Sequence, residues 1–152
     1  MIASRVLGEI GNGWRQVTEQ LSFERGGPER VLTAYPLLEH AVTQVADKPH
    51  LHAELGEIVA RLRTLRRLAL SLTDALDRGE APAAQAAALK VVGTEFEQRV
   101  VDFAARALDV EADPGSGGVA GLLAEAITAS PGFTIRGGAT AVLLSILAKE
   151  NR

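Results

Sequence analysis

Leu55-Gly56-Glu57-Ile58-Val59-Ala60-Arg61-Leu62-Arg63-Thr64-Leu65-Arg66-Arg67-Leu68-Ala69-Leu70-Ser71-Leu72 decides the class of fold. Leu55, Ile58, Val59, Leu62, Leu65, Ala69, Leu72 and Leu76 recur at steps of three and four, which places them on one face of an α-helix. Arg61, Arg63, Arg66 and Arg67 fall on other faces, as a solvated surface requires. Asp47-Lys48-Pro49 reads as the start, because proline in a first turn gives up only a donor that had no partner there. Gly79 reads as the C-terminal cap.

The same pattern extends in both directions. Downstream, Pro82 opens a helix carrying Leu89, Val92, Phe96, Val100, Phe103 and Ala107 at helical spacing. Asp113-Pro114-Gly115-Ser116-Gly117-Gly118 is a loop, followed by a short helix over 119–129 and a last helix over 140–150. Upstream, Asn12 or Gly13 can cap a helix beginning near Trp14, whose apolar stripe is Trp14, Val17 and Leu21. Gly26-Gly27-Pro28 ends it after Arg25, and a further helix is expected over 28–46 with a kink at Pro36. No stretch alternates with period two. An all-α antiparallel bundle is predicted, with four main helices and short C-terminal ones.

Composition supports that reading. Apolar residues make up 47% of the 152 positions but aromatics only 4%, so Ala, Leu and Val must build the core. A formal charge of -3 gives no footprint for nucleic acid. The run from Ala139 to Ala148 is roughly half the ~20 residues that a membrane span needs. The sequence contains Cys 0 and no basic-then-apolar leader, which fits the cytoplasmic location expected here. His50 and His52, two apart, point to different sides of a helix, and His40 stands alone. No metal site is expected.

Two places could carry chemistry. Gly132-Phe133-Thr134-Ile135-Arg136-Gly137-Gly138-Ala139-Thr140 runs through paired glycines into an apolar helix. Such glycines let backbone approach a ligand, and the helix start presents free N–H groups beside it. Glu24-Arg25 closes the first helix just before a backbone break. A carboxylate there is an ordinary surface group unless the chain turns it into an apolar cleft, where it could accept a proton near neutral pH.

Four segments in order, Gly8-Glu9-Ile10-Gly11-Asn12-Gly13-Trp14, Leu21-Ser22-Phe23-Glu24-Arg25, Ala87-Ala88-Leu89-Lys90 and Ile135-Arg136-Gly137-Gly138-Ala139-Thr140, resemble the C-terminal domain of acyl-CoA dehydrogenases, actinobacterial forms acting on sterol side chains among them. The resemblance implies a flavoprotein that uses FAD to desaturate an acyl-CoA thioester between its α- and β-carbons. It implies an electron-transfer acceptor and a homo- or hetero-oligomer as partners, with neither nucleic acid nor membrane. Family members carry the catalytic base at the first hinge position or before the arginine of the opening helix. Here the hinge position is Gly137, so the resemblance assigns the base to Glu24 and the acyl-pocket neighbour to Arg25. Gly137, Gly138, Ala139 and Thr140 would border the flavin.

The chain departs from the family pattern in three places. No arginine-x-x-phenylalanine-glycine segment occurs around Asp47–Leu55, the loop at Asp113–Gly118 replaces a glutamine- and glycine-rich stretch, and Ala139 and Ala141 stand where polar flavin contacts are common. A non-catalytic oligomerising subunit, or the partner in a hetero-oligomeric dehydrogenase, is therefore the rival expectation. Residues 1–13 resemble the run out of a preceding β-domain, with the bundle over 14–152. An isolated domain of this kind is expected to be inactive.

Overall fold

The computed structural model describes residues 6–25 and 32–150. Its helices are α1 (Gly13–Arg25), α2 (Tyr35–Gln44), α3 (Pro49–Asp77), α4 (Ala83–Ala107), α5 (Gly118–Ala129) and α6 (Thr140–Glu150), with a 3-10 turn over Ser130–Thr134 between the last two. No strand occurs among the described residues.

Helix α4 is the axis of the molecule, and α1, α2, α3, α5, α6 and the 3-10 turn all pack on it. Its apolar positions are closed off accordingly: Leu89, Phe96, Val100, Phe103 and Ala107 are buried. Val92, part of the same expected stripe, is instead 40% exposed. Helix α3 contributes Ile58, Leu65 and Leu72 to this core, and α2 contributes Leu37, Leu38 and Ala41.

The α3–α4 pair is antiparallel, and charged side chains fix its register. Glu54 near the start of α3 holds Arg106 near the end of α4 through two bonds of 2.7 and 2.8 Å, and Glu57 pairs with Arg99. Lys48 Nζ adds bonds of 2.8 Å to the Ala107 carbonyl and 2.6 Å to Asp109. The turn between the helices is short because Gly79 adopts φ +76°, donating to Leu76 while Glu80 donates to Ala75. That pair of hydrogen bonds is the left-handed cap expected of glycine after a helix.

Three expectations change. Pro36 lies in the first turn of α2, where its missing donor costs nothing, and kinks nothing; the turn residues Thr33 and Ala34 precede the helix. The expected start of this helix at Pro28 lies outside the described residues. The α1 stripe is not core: Trp14 is 82% exposed and Val17 51%. Among the described residues nothing covers Trp14 or Val17, while Leu21 is half-buried. Finally, Ser130-Pro131-Gly132 does not merely end α5 but continues directly into the 3-10 turn.

Candidate functional site

The segment from Ser130 to Thr140 connects two helices that both rest on α4, so it must turn sharply. Ile135 and Arg136 both donate to the Gly132 carbonyl at 3.1 Å, and Gly138 donates to Ile135 at 3.1 Å. Gly137 at φ +68° and Gly138 at φ +115° complete the reversal, torsions that side chains rarely tolerate. A Cβ on Gly138 would also stand 3.2 Å from Arg25 Nη2 and 3.4 Å from Leu143 Cδ2. Glycine here therefore serves the close approach of an arginine as well as the turn.

Arg25, buried at the C-terminus of α1, donates from Nε to the Gly137 carbonyl at 2.9 Å. The structure thus brings Arg25, Gly137 and Gly138 together from opposite ends of the chain. Glu24 precedes Arg25 and its side chain is exposed in this chain. Thr140 opens α6 half-buried, and Ala139 beside it is exposed. With glycine and alanine at three consecutive positions, the hinge backbone carries little side-chain bulk.

A second set of side chains holds the hinge from the other side. Lys90, fully buried on α4, donates from Nζ to the Phe133 carbonyl at 2.8 Å. Thr94 Oγ1 donates to the same oxygen at 3.1 Å. Glu97, also 0% exposed, accepts a 2.6 Å bond from Arg136 Nη2, which reaches Thr33 Oγ1 as well at 3.2 Å. The Arg136 guanidinium lies 4.5 Å from the centre of the Phe133 ring, a cation–π contact. Glu97 Oε1 and Arg136 Nε are buried, and neither meets a partner of good hydrogen-bond geometry among the described residues. Sequence reading does not single out Thr94 or Glu97. The signal is nevertheless present: Lys90, Thr94 and Glu97 recur at steps of four and three, as Phe96, Val100 and Phe103 do, on the side of the helix that is buried.

Burial pushes the Glu97 carboxyl above its ordinary value of 4.5, against the opposing pull of the Arg136 charge and of hydrogen bonding from Thr33 and Arg136. The folded chain thus holds this proton more tightly than the unfolded chain does. Its contribution to stability is fully present below pH 4.5 and is lost as pH rises through the higher folded value. Thermal unfolding at about pH 5 and about pH 8 should therefore show a larger stability loss for the wild-type chain than for Glu97→Gln. Equal losses would mean that Glu97 does not carry this linkage.

His40, His50 and His52 are exposed, and His52 Nε2 lies 2.8 Å from the Val45 carbonyl. Among the described residues no group of three His, Cys, Asp or Glu could hold a metal ion, and no helix is long and apolar enough to cross a membrane.

Comparison with known proteins places this architecture. A bundle centred on one buried helix, with a glycine hinge before its last helix, matches the family model described as acyl-CoA dehydrogenase, C-terminal domain, over residues 11–151. The chain belongs to the acyl-CoA dehydrogenase family. Among solved structures it is similar to the Tcur3481-Tcur3483 steroid acyl-CoA dehydrogenase, with 28% identity and a TM-score of 0.79 over 97% of this chain and 41% of that one. A glycine-to-alanine variant of the same protein gives 28% identity and a TM-score of 0.80, covering 97% of this chain and 42% of the other. The chain thus spans about two-fifths of the length of these relatives. Among curated proteins, none matches it.

Proposed function

We propose that this chain is the C-terminal domain of an FAD-dependent dehydrogenase that introduces an α,β-double bond into an acyl-CoA thioester. One observation carries the reading: within a chain of this family, the Arg25–Gly137 bond ties the Glu24-Arg25 step to the glycine hinge. Both places at which the family carries its base therefore lie at one end of the bundle. One of them, Gly137, has no side chain to act, which leaves Glu24 as the group that takes the α-proton on a carboxylate oxygen.

When bound, FAD supplies the hydride acceptor that the desaturation needs. Gly137, Gly138, Ala139 and Thr140 border it, and Arg25 lines the acyl pocket beside Glu24. Glu24 is exposed here, so the dry surroundings that a base requires come from parts of a longer protein beyond this domain. Residues 1–13 lead in from such a part. The steroid acyl-CoA dehydrogenases among the relatives favour a steroid side-chain thioester as substrate over a simple fatty acyl one.

The exposed apolar side chains of Leu7, Ile10 and Trp14 favour a coexisting role in assembly, because more protein must cover them. That role is also what the rival reading, a non-catalytic subunit of a hetero-oligomer, would use. Joining this chain to the remaining domains of a dehydrogenase and adding a steroid acyl-CoA separates the two. Bleaching of the flavin absorbance under anaerobic conditions is expected. A flavin-loaded assembly that stays oxidised with every acyl-CoA offered rejects the catalytic reading and leaves the subunit role.

A further inference from the structure

The hinge is held by four side chains, and they come from two helices. Arg25 of α1 takes the Gly137 carbonyl on the downstream side. Lys90, Thr94 and Glu97 of α4 take the upstream side, two of them on the Phe133 carbonyl and one on Arg136. Core packing does not ask for this. A buried lysine and a buried glutamate each lose hydration, and apolar residues of similar volume usually serve a core as well or better. What charged groups add is a specified register, since each accepts only one arrangement of its partner. The segment they fix ends in two glycines with unusual torsional freedom, whose local hydrogen bonds are those of a single tight turn.

We infer that Glu97, acting through Arg136, is a positioning residue: it sets where the Gly137–Gly138 backbone stands, with Lys90 and Thr94 fixing the preceding turn. This rests on the proposed function for its catalytic consequence, but the restraint on the hinge is a property of the chain alone. Glu97 touches no reacting atom. It holds a guanidinium that is otherwise 35% exposed, stacked on Phe133, and so keeps Arg136 from swinging into solvent with the hinge behind it.

Glu97→Gln keeps the reach of the side chain and removes its charge, while Arg136→Lys removes the fork from the more exposed side and so perturbs the core least. In the 152-residue chain, amide hydrogen exchange at Ile135, Arg136 and Gly138 reports the turn directly, because all three donate within it. Losing a charge-assisted bond should speed exchange there by about tenfold, with exchange along α3 unchanged. In the assembled dehydrogenase the same variants should lower kcat about ten- to a hundredfold at an unchanged KM for the acyl-CoA, as a displaced reacting geometry does. A residue that only stabilises the fold would speed exchange everywhere and leave kcat alone.

Unchanged exchange at the three amides in both variants overturns the inference whatever the chain catalyses. Faster exchange with unaltered kcat overturns the positioning role. If the wild-type assembly dehydrogenates nothing, the proposed function falls by itself, and the exchange comparison still decides whether Glu97 restrains the hinge.

Discussion

Glu24→Gln in a flavin-loaded assembly is expected to lower turnover by about 10²–10⁴-fold, the span that a positioned general base supplies. The substitution conserves shape and hydrogen-bonding reach but cannot accept the α-proton. Substrate binding draws on the whole cleft, so KM should change little, and the loss should fall on kcat. Flavin absorbance should persist, because the residues proposed to border the ring lie on the hinge and not at Glu24. Arg25→Lys offers a contrast. It keeps the charge beside Glu24 but sacrifices the planar donor that meets Gly137, so it should loosen the hinge as well as slow the reaction. Turnover by Glu24→Gln equal to the wild type would remove Glu24 from the mechanism. With Gly137 unable to act, the desaturation would then need a base from outside this chain.

The parts of the fold legible in the sequence are those whose causes are local. Pro49 and Gly79 bound α3 where expected, since a proline that gives up no bond and a glycine in the left-handed region need only their own neighbours. The apolar stripe of α4 predicted most of its core face because the other described helices of the same chain pack on this one, although Val92 stays exposed. The α1 stripe shows where periodicity stops being informative. Trp14 and Val17 have the spacing of a buried face, and spacing does not say which protein surface buries it.

The site was legible to a similar depth. The glycines could be read as a turn from their pairing, and Arg25 does meet that turn. Apolar periodicity does not say which side chains hold it from α4. Lys90, Thr94 and Glu97 read as interruptions of a stripe until the Phe133 carbonyl and Arg136 are found opposite them. Their partners lie some forty positions away, and only the packing of the 3-10 turn on α4 brings them within reach.

Phe103→Ala is expected to cost about 3–5 kcal/mol, enough to leave a domain of this size close to unfolding at ambient temperature. The ring is fully buried on the helix that every other element packs against, so the cavity it leaves is lined from several sides and cannot collapse onto one flexible neighbour. Trp14→Ala deletes a larger side chain and should cost less than about 1 kcal/mol in the same chain, because an 82% exposed indole contributes little burial to lose. Denaturant melts of the two variants read this contrast directly. In an assembly whose remaining domains cover α1 the order should tighten: Trp14→Ala should there weaken association while Phe103→Ala still unfolds the bundle. A Trp14→Ala chain as unstable as Phe103→Ala would mean that α1 is cemented to the bundle through its indole, and that the apolar face left open here belongs to the domain's own core.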